Sequence, residues 1–276
     1  MKEYLTINNM SFTFVTALYE IQREQHDQRS FLKYQEWFSK TLSVPVPMVI
    51  YTEEKNRHIV ESIRKDLPTR TFYTSIEDAP LYYTVKDVKH ILENTQFKSK
   101  IHHPNGLENK CYEYIPIINS KFKWVIDAIE ENYFNTDMFF WIDAGISRFM
   151  NFDMSINQFN VSLIQELHTS NKLYVQIGKK EALNRIFETP SAIEDYVGTN
   201  TNFIMAGFFG GNKSVLLEVC KRSYRLYKHE FIDKDRIDNE QTLIGFVLPH
   251  YKHNTFFIEN SPTQNYINYY IFCGRR

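Results

Sequence analysis

"MFFWIDAGISRF", residues 138 to 149, decides how the rest of the chain is read. Five apolar residues, Met138 to Ile142, run without the polar alternation of a half-exposed strand, so the pattern predicts a strand covered on both faces. The run stops on a carboxylate, Asp143, followed by the small residues Ala144 and Gly145. An ionised carboxylate is costly to bury unless solvent, backbone or a ligand partners it, which makes the strand end a candidate site.

Working outward, the amphipathic "YIPIINSKFKWVIDAIEENY" (114–133) leads from a predicted helix straight into that strand. Upstream, "SFTFVTALY", "PVPMVIYTEE" and "RTFYTSI" read as strands, separated by helical "RSFLKYQEWFSKTLS" and "NRHIVESIRKDL". Downstream, "KLYVQIG" and "NTFFIEN" read as strands and "NEQTLIGFVLPHY" as a helix. In "TNFIMAGFFGGNKSVLLEVCKRSYRLYKHEF" a strand is expected to break at Gly210-Gly211 and continue as a long helix. The βαβ order predicts an α/β fold, a central, mostly parallel twisted sheet flanked by helices, with ligands beyond the carboxyl ends of its strands. No internal repeat, low-complexity tract or linker divides residues 1–276, so one domain is expected.

Composition narrows the function classes. Lys plus Arg (32) nearly cancel Asp plus Glu (33), so no overall field draws a polyanion, and a nucleic-acid partner is not expected. Cys111, Cys220 and Cys273 are odd in number and widely spaced, which argues against a disulfide framework or structural zinc and for a reducing compartment. There is no basic-then-apolar leader and no apolar run of spanning length, so a cytoplasmic protein without a membrane span is expected. HExxH, GxSxG and GxxxxGK[ST] are all missing from the sequence, leaving zincin, α/β-hydrolase and P-loop chemistry without support.

Four groups of residues carry candidate chemistry. Asp143 at a strand end, with Ala144 and Gly145 opening the backbone to a ligand, suits a carboxylate holding Mn²⁺ or Mg²⁺ against a pyrophosphate; the alternative is a turn cap or a pair with Arg148. In "AGFFGGNKSV" (206–215), Gly210 and Gly211 would leave N–H groups free for hydroxyl or phosphate oxygens, or form a plain strand-to-helix turn with Asn212 near the cap. In "DRIDNEQTL" (235–243), Asp238 fits an N-cap with Gln241 three residues on, and Glu240 is less easily explained by capping, although solvated first-turn acids are common. Lys121, Lys123, Arg23 and Arg29 are either surface charges or cations that neutralise a leaving diphosphate. His250 and His253 offer ring nitrogens near the C-terminus, whereas His102-His103 sits in a polar loop with no assigned role.

Taken in order, "FVTALYEIQREQ", "YQEWFSKTL", "MVIYTEE", "SKFKWVIDAI", "FFWIDAGISRF", "AGFFGGNKS" and "DNEQTL" resemble the HtrL/YibB-type family of glycosyltransferase-like proteins, from about Phe12 to Ile258. The resemblance implies a GT-A-type nucleotide-diphospho-sugar transferase. It implies a donor pocket involving Thr16, Ala17, Tyr19 and Arg23 after the first strand, with Lys121, Ala144, Gly145, Gly210 and Gly211 also facing the donor. The usual Asp-x-Asp metal motif stands here as Asp143-Ala144-Gly145, without its second acid, so a compensating ligand is sought in Asp238, Glu240 or His253. Glu240, with Asp238 as the second choice, is the expected catalytic carboxylate. The implied activity is sugar transfer from a nucleotide diphosphate, UDP favoured, to a glycan or other hydroxyl acceptor, assisted by Mn²⁺ or Mg²⁺. The rival reading is a non-catalytic nucleotide- or sugar-binding protein. A pyrophosphorylase is disfavoured, because no glycine-rich loop follows "FVTALY".

Overall fold

The computed structural model describes residues 12–98, 100–101, 104–149 and 161–259. His102, His103 and Cys273 lie outside that set; Cys111 and Cys220 are buried free thiols.

Among the described residues, seven strands form one sheet: β1 (Phe12–Leu18), β2 (Met48–Thr52), β3 (Thr69–Tyr73), β4 (Met138–Ile142), β5 (Leu173–Gln176), β6 (Phe208–Asn212) and β7 (Thr255–Ile258). Their order is β3-β2-β1-β4-β6-β5-β7. The helices are α1 (Glu24–Asp27), α2 (Phe31–Leu42), α3 (Arg57–Arg64), α4 (Val85–Glu93), α5 (Thr95–Lys98), α6 (Tyr114–Glu131), α7 (Val161–Ser170), α8 (Lys180–Glu188), α9 (Lys213–Leu226) and α10 (Glu240–Val247). This is the mixed α/β layout that the alternation of patterns predicts.

The unbroken apolar run of β4 is explained by two cores, one on each face of the sheet. Side chains alternate along a strand, so Met138, Phe140 and Ile142 enter one core with Phe38 and Leu42 of α2. Phe139 and Trp141 enter the other, with Phe122 and Val125 of α6 and Val219 of α9. Each face needs apolar residues, and no position is left for a polar one until the strand leaves the sheet at Asp143.

One strand departs from the parallel expectation. β6 runs antiparallel to both β4 and β5, while β1, β2, β3, β4, β5 and β7 share a direction. After β5 the chain folds back near where it left. Ile177 bridges Ile204 antiparallel, Gly178 N donates to Phe203 O at 2.8 Å, and Lys179 N donates to Asn202 O at 2.7 Å. The excursion between them, which carries α8, therefore begins and ends at the carboxyl edge, and β6 has to enter the sheet from that edge.

The break expected at Gly210-Gly211 is also corrected. Both glycines are inside β6, and the helix starts only at Lys213, with the Asn212 side chain accepting from Ser214 N. Gly210 pairs with Phe140 and Gly211 with Phe139. A Cβ on Gly210 would stand 2.2 Å from Phe139 O, and one on Gly211, where φ is +140°, 2.3 Å from Lys172 O. These positions are glycine because neighbouring backbones leave no room for a side chain.

Candidate active site

The carboxyl edge of the central strands gathers the charged residues. β1 delivers Ala17 and the turn from Tyr19 to Arg23; β4 delivers Asp143, whose N–H donates to Gly207 O at 2.8 Å just before β6. Helix α6 runs back toward the start of β4, so its first half overlies the same edge and carries Tyr114 and Lys121 there. Helix α10 opens at the edge with Glu240.

These elements meet in a charged trio. Lys121 Nζ lies 2.8 Å from Glu240 Oε1 and 3.4 Å from Asp143 Oδ1, and its side chain is only 2% exposed. It also donates to Ala206 O at 3.4 Å and sits 5.3 Å from the centre of the Trp141 ring. Burial by itself lowers an ammonium pKa, but the two carboxylates outweigh it and hold Lys121 above its ordinary value. The lysine is a fixed cation between two acids. Trp141 Nε1 donates to Asp143 Oδ1 at 2.6 Å from two residues back on the strand, which fixes that carboxylate further.

Two cavities adjoin the trio. The first, about 450 Å³, is bounded by Ala17, Tyr19, Arg23, Ala144, Gly145 and Phe149, among others. Its floor is aromatic: Tyr19 stacks on Trp124 at 5.5 Å and 9°, and Trp124 on Trp141 at 6.2 Å and 7°. Burial pushes the Tyr19 phenol up to about 12, and its hydroxyl bonds Thr74 Oγ1 at 2.8 Å. Cations rim the space. Arg23 lies over the rings of Tyr34 (5.3 Å) and Tyr114 (5.5 Å) and pairs with Asp27 at 2.7 Å; Arg148 donates to the Tyr34 hydroxyl at 3.0 Å, and Arg29 joins the lining. The second cavity, about 300 Å³, shares Tyr114, Asp143, Arg148 and Glu240 with the first and continues to Glu108, Asn200 and Asn202. Asp143 and Glu240 thus stand where two spaces join.

Of the candidate residues, the fold brings Ala17, Tyr19, Arg23, Lys121, Asp143, Ala144, Gly145 and Glu240 to one cavity. Gly145 also lies against α2, where a Cβ would come within 3.1 Å of the Tyr34 ring. Thr16 is fully buried inside β1 and does not line it. Gly210 and Gly211 fall near the opposite edge, since Gly211 pairs with Phe139, four residues before Asp143, or roughly 13 Å along the strand. His253 is exposed just before the start of β7, also at the amino edge, and His250 bonds Arg222 at 2.8 Å. Lys123 pairs with Asp127 along α6.

Asp238 is not the cap of α10 and does not line either cavity. Asn239 is the cap, its side chain accepting from Gln241 N and Thr242 N. Asp238 Oδ1 instead accepts from Asn239 N (2.7 Å) and Oδ2 from Gly198 N (2.9 Å), tying α10 to the loop that carries Asn200. Burial pushes its carboxyl up to about 7. Asp143 takes Lys121 as its ion-pair partner, while Arg148 turns to Tyr34.

Among the described residues, no group of three or more His, Cys, Asp or Glu side chains could hold a metal ion. Hard divalent cations seek several oxygen ligands, and the two acids at this edge already share a buried ammonium. A cation beside Asp143 would sit against that like charge, and neither Asp238 nor His253 is placed to replace the missing acid. The donor set does not fit a resident Mn²⁺ or Mg²⁺.

Sequence reasoning passed over Trp141, Tyr34, Tyr114, Gly207, Glu108, Asn200 and Asn202. Only Trp141 had a signal within reach: at two residues before Asp143, strand periodicity places both side chains on one face. The others come from separate parts of the chain: Tyr34 from α2, Glu108 and Tyr114 from the segment that leads into α6 and its first residue, and Asn200, Asn202 and Gly207 from the fold-back between β5 and β6.

No helix among the described residues is long and apolar enough to cross a membrane. In overall layout the chain is similar to mouse xyloside xylosyltransferase 1 in its apo form, with 8% identity, TM-score 0.43, and coverage of 96% of this chain and 93% of that one. It is also similar to 4-diphosphocytidyl-2C-methyl-D-erythritol synthase from Anaerococcus prevotii, with 9% identity, TM-score 0.41, and coverage of 94% and 91%. In sequence it is 26% identical over 147 residues to Protein HtrL of Escherichia coli (strain K12). That match takes in 49% of this chain and 51% of the relative, so it spans about half the length of each. The model of the HtrL_YibB family, described as a bacterial protein of unknown function, matches residues 10–262, and the chain belongs to that family.

Proposed function

We propose that this protein is a GT-A-type glycosyltransferase that moves a sugar from a nucleoside diphosphate sugar to a hydroxyl acceptor. The observation that carries the reading is the position of Asp143 and Glu240, joined by Lys121, at the meeting of two cavities on the carboxyl edge of the sheet. A transferase needs such a junction, because donor and acceptor must approach one carbon from separate spaces.

The larger cavity suits the donor. Its stacked aromatics offer an apolar face for a base or sugar ring, and Arg23, Arg29 and Arg148 are cations for a diphosphate. In the transfer, the acceptor oxygen bonds the anomeric carbon as that carbon's bond to the diphosphate oxygen breaks. The electron pair leaves with the diphosphate, toward the arginines. The acceptor's proton passes to Glu240, which Lys121 holds in place. Asp143, fixed by Trp141 and Lys121, orients the donor's hydroxyls. No step runs through a metal ion. Uridine donors are favoured on family resemblance, and guanosine donors belong in the same screen.

The test is turnover. The purified chain is incubated with UDP- and GDP-sugars, and free nucleoside diphosphate is measured beside thermal stabilisation. Stabilisation with release supports transfer. Stabilisation without release from any donor, with or without saccharide acceptors, identifies a binding protein instead, and neither response removes the nucleotide from the reading.

A further inference from the structure

The second cavity has a chemistry of its own. Glu108, Asn200, Asn202, Asn239 and Gln241 bring five polar side chains to about 300 Å³, and backbone at Gly207 completes the wall. Apart from the Tyr114 ring, no apolar side chain among the described residues lines it, so a lipid or aromatic ligand would find little there to bury against. Primary amides both donate and accept, which matches a ligand carrying several hydroxyls. Charge disfavours acidic ligands: Glu108, Asp143 and Glu240 outnumber Arg148 together with the Lys121 ammonium that spans two of them.

The amides are held in position. Asn239 Oδ1 is engaged by the backbone N–H groups of Gln241 (3.0 Å) and Thr242 (3.3 Å), which fixes the side chain and leaves its NH₂ as the donor. Asn200 sits at φ +50° in a loop pinned by Gly198 N to Asp238 at 2.9 Å. Asn202 is anchored through its carbonyl, which accepts from Lys179 N. Gln241 also lines the cavity, and its Oε1 is buried with no hydrogen-bond partner among the described residues.

We infer that this cavity is a carbohydrate subsite, taking a neutral sugar of one or two rings with a hydroxyl directed at Glu240. The assignment of that sugar as acceptor rests on the glycosyltransferase reading, whereas its binding does not. A volume at the low end of ligand clefts, about 300–1,000 Å³, suits a short saccharide better than a folded partner.

The experiment is ligand-observed NMR titration of the full chain with the neutral disaccharides lactose, maltose and cellobiose, and with glucuronic acid as the anionic comparison. UDP is titrated separately into the larger cavity. Expected is saturable binding of at least one neutral sugar, weakened roughly tenfold in Gln241→Leu and in Asn200→Leu, the loss of one or two hydrogen bonds. Circular dichroism and thermal unfolding confirm that each variant is folded, and the two variants are independent should one fail. Absence of saturable binding by every neutral sugar overturns the inference. So does glucuronic acid binding as tightly as the neutral sugars, or full affinity in both folded variants. Saccharide binding that persists when no nucleotide sugar is turned over leaves the subsite standing and rejects the transferase reading alone.

Discussion

At the scale of single residues, the trio of Lys121, Asp143 and Glu240 is the least replaceable feature of the edge. Removing a partner from a buried ion pair leaves charge uncompensated, at a cost of about 3–5 kcal/mol. Here Glu240 is only 10% exposed but Asp143 is 38% exposed and keeps much of its solvation, so Lys121→Met should lower the urea-unfolding free energy by about 3 kcal/mol, the low end of that range, at neutral pH. A loss under about 1 kcal/mol would mean that the trio opens to water and is no preformed unit. Glu240 separates chemistry from support. If it accepts the acceptor's proton, Glu240→Gln keeps the size and one oxygen for Lys121, and kcat should fall roughly 10²-fold or more while donor affinity holds. Steady-state kinetics beside nucleotide titration reads both quantities. A variant with unchanged kcat removes Glu240 from the chemistry.

At the scale of elements, the direction of β6 decides which glycines matter. Gly210 and Gly211 were candidates because a glycine pair before a helix suits phosphate binding. An antiparallel β6 carries them to the far edge and leaves Gly207 beside Asp143 instead. Gly211→Ala should therefore cost roughly 2–4 kcal/mol of stability through the φ of +140° and the contact with Lys172 O, with donor affinity of the folded protein unchanged. Lost donor affinity at unchanged stability would return the pair to the site. The start of α10 gives a pH test. Asp238 rises from its ordinary 3.8 to about 7 on folding, so between those values the native state binds more protons than the unfolded chain. Its contribution to stability is fullest below about pH 4, declines as pH rises toward 7, and levels off above. Asp238→Asn lacks this slope. The stability of the variant relative to the parent should climb from pH 4 to 7, by up to about 1.4 kcal/mol per pH unit, in urea titrations at stepped pH. A flat difference would show that Asp238 stays ionised on its two N–H donors.

At the scale of the whole molecule, what the sequence made legible is what burial controls. The run from Met138 to Ile142 has to be apolar because both faces are covered, and the first polar residue after it marks the edge. Strand direction leaves no such mark. β6 reads the same forwards and backwards to a hydrophobic pattern, so its reversal, and with it the placing of Gly207, Asn200 and Asn202, came only from the fold-back at Ile177 and Ile204. The same limit applies to Lys121, whose neighbours in sequence give no sign that Asp143 and Glu240 converge on it from 22 and 119 residues away. That convergence bears on how the molecule handles charge. A metal-assisted edge keeps its acids free for the ion, whereas here an ammonium already spans them and arginines line the larger cavity. Dialysis against EDTA should therefore leave donor affinity and turnover unchanged, and added Mn²⁺ or Mg²⁺ should raise neither. If chelation abolishes turnover and Mn²⁺ restores it, the acids must release Lys121 when donor binds, and diphosphate oxygens must complete a site that the protein alone does not hold.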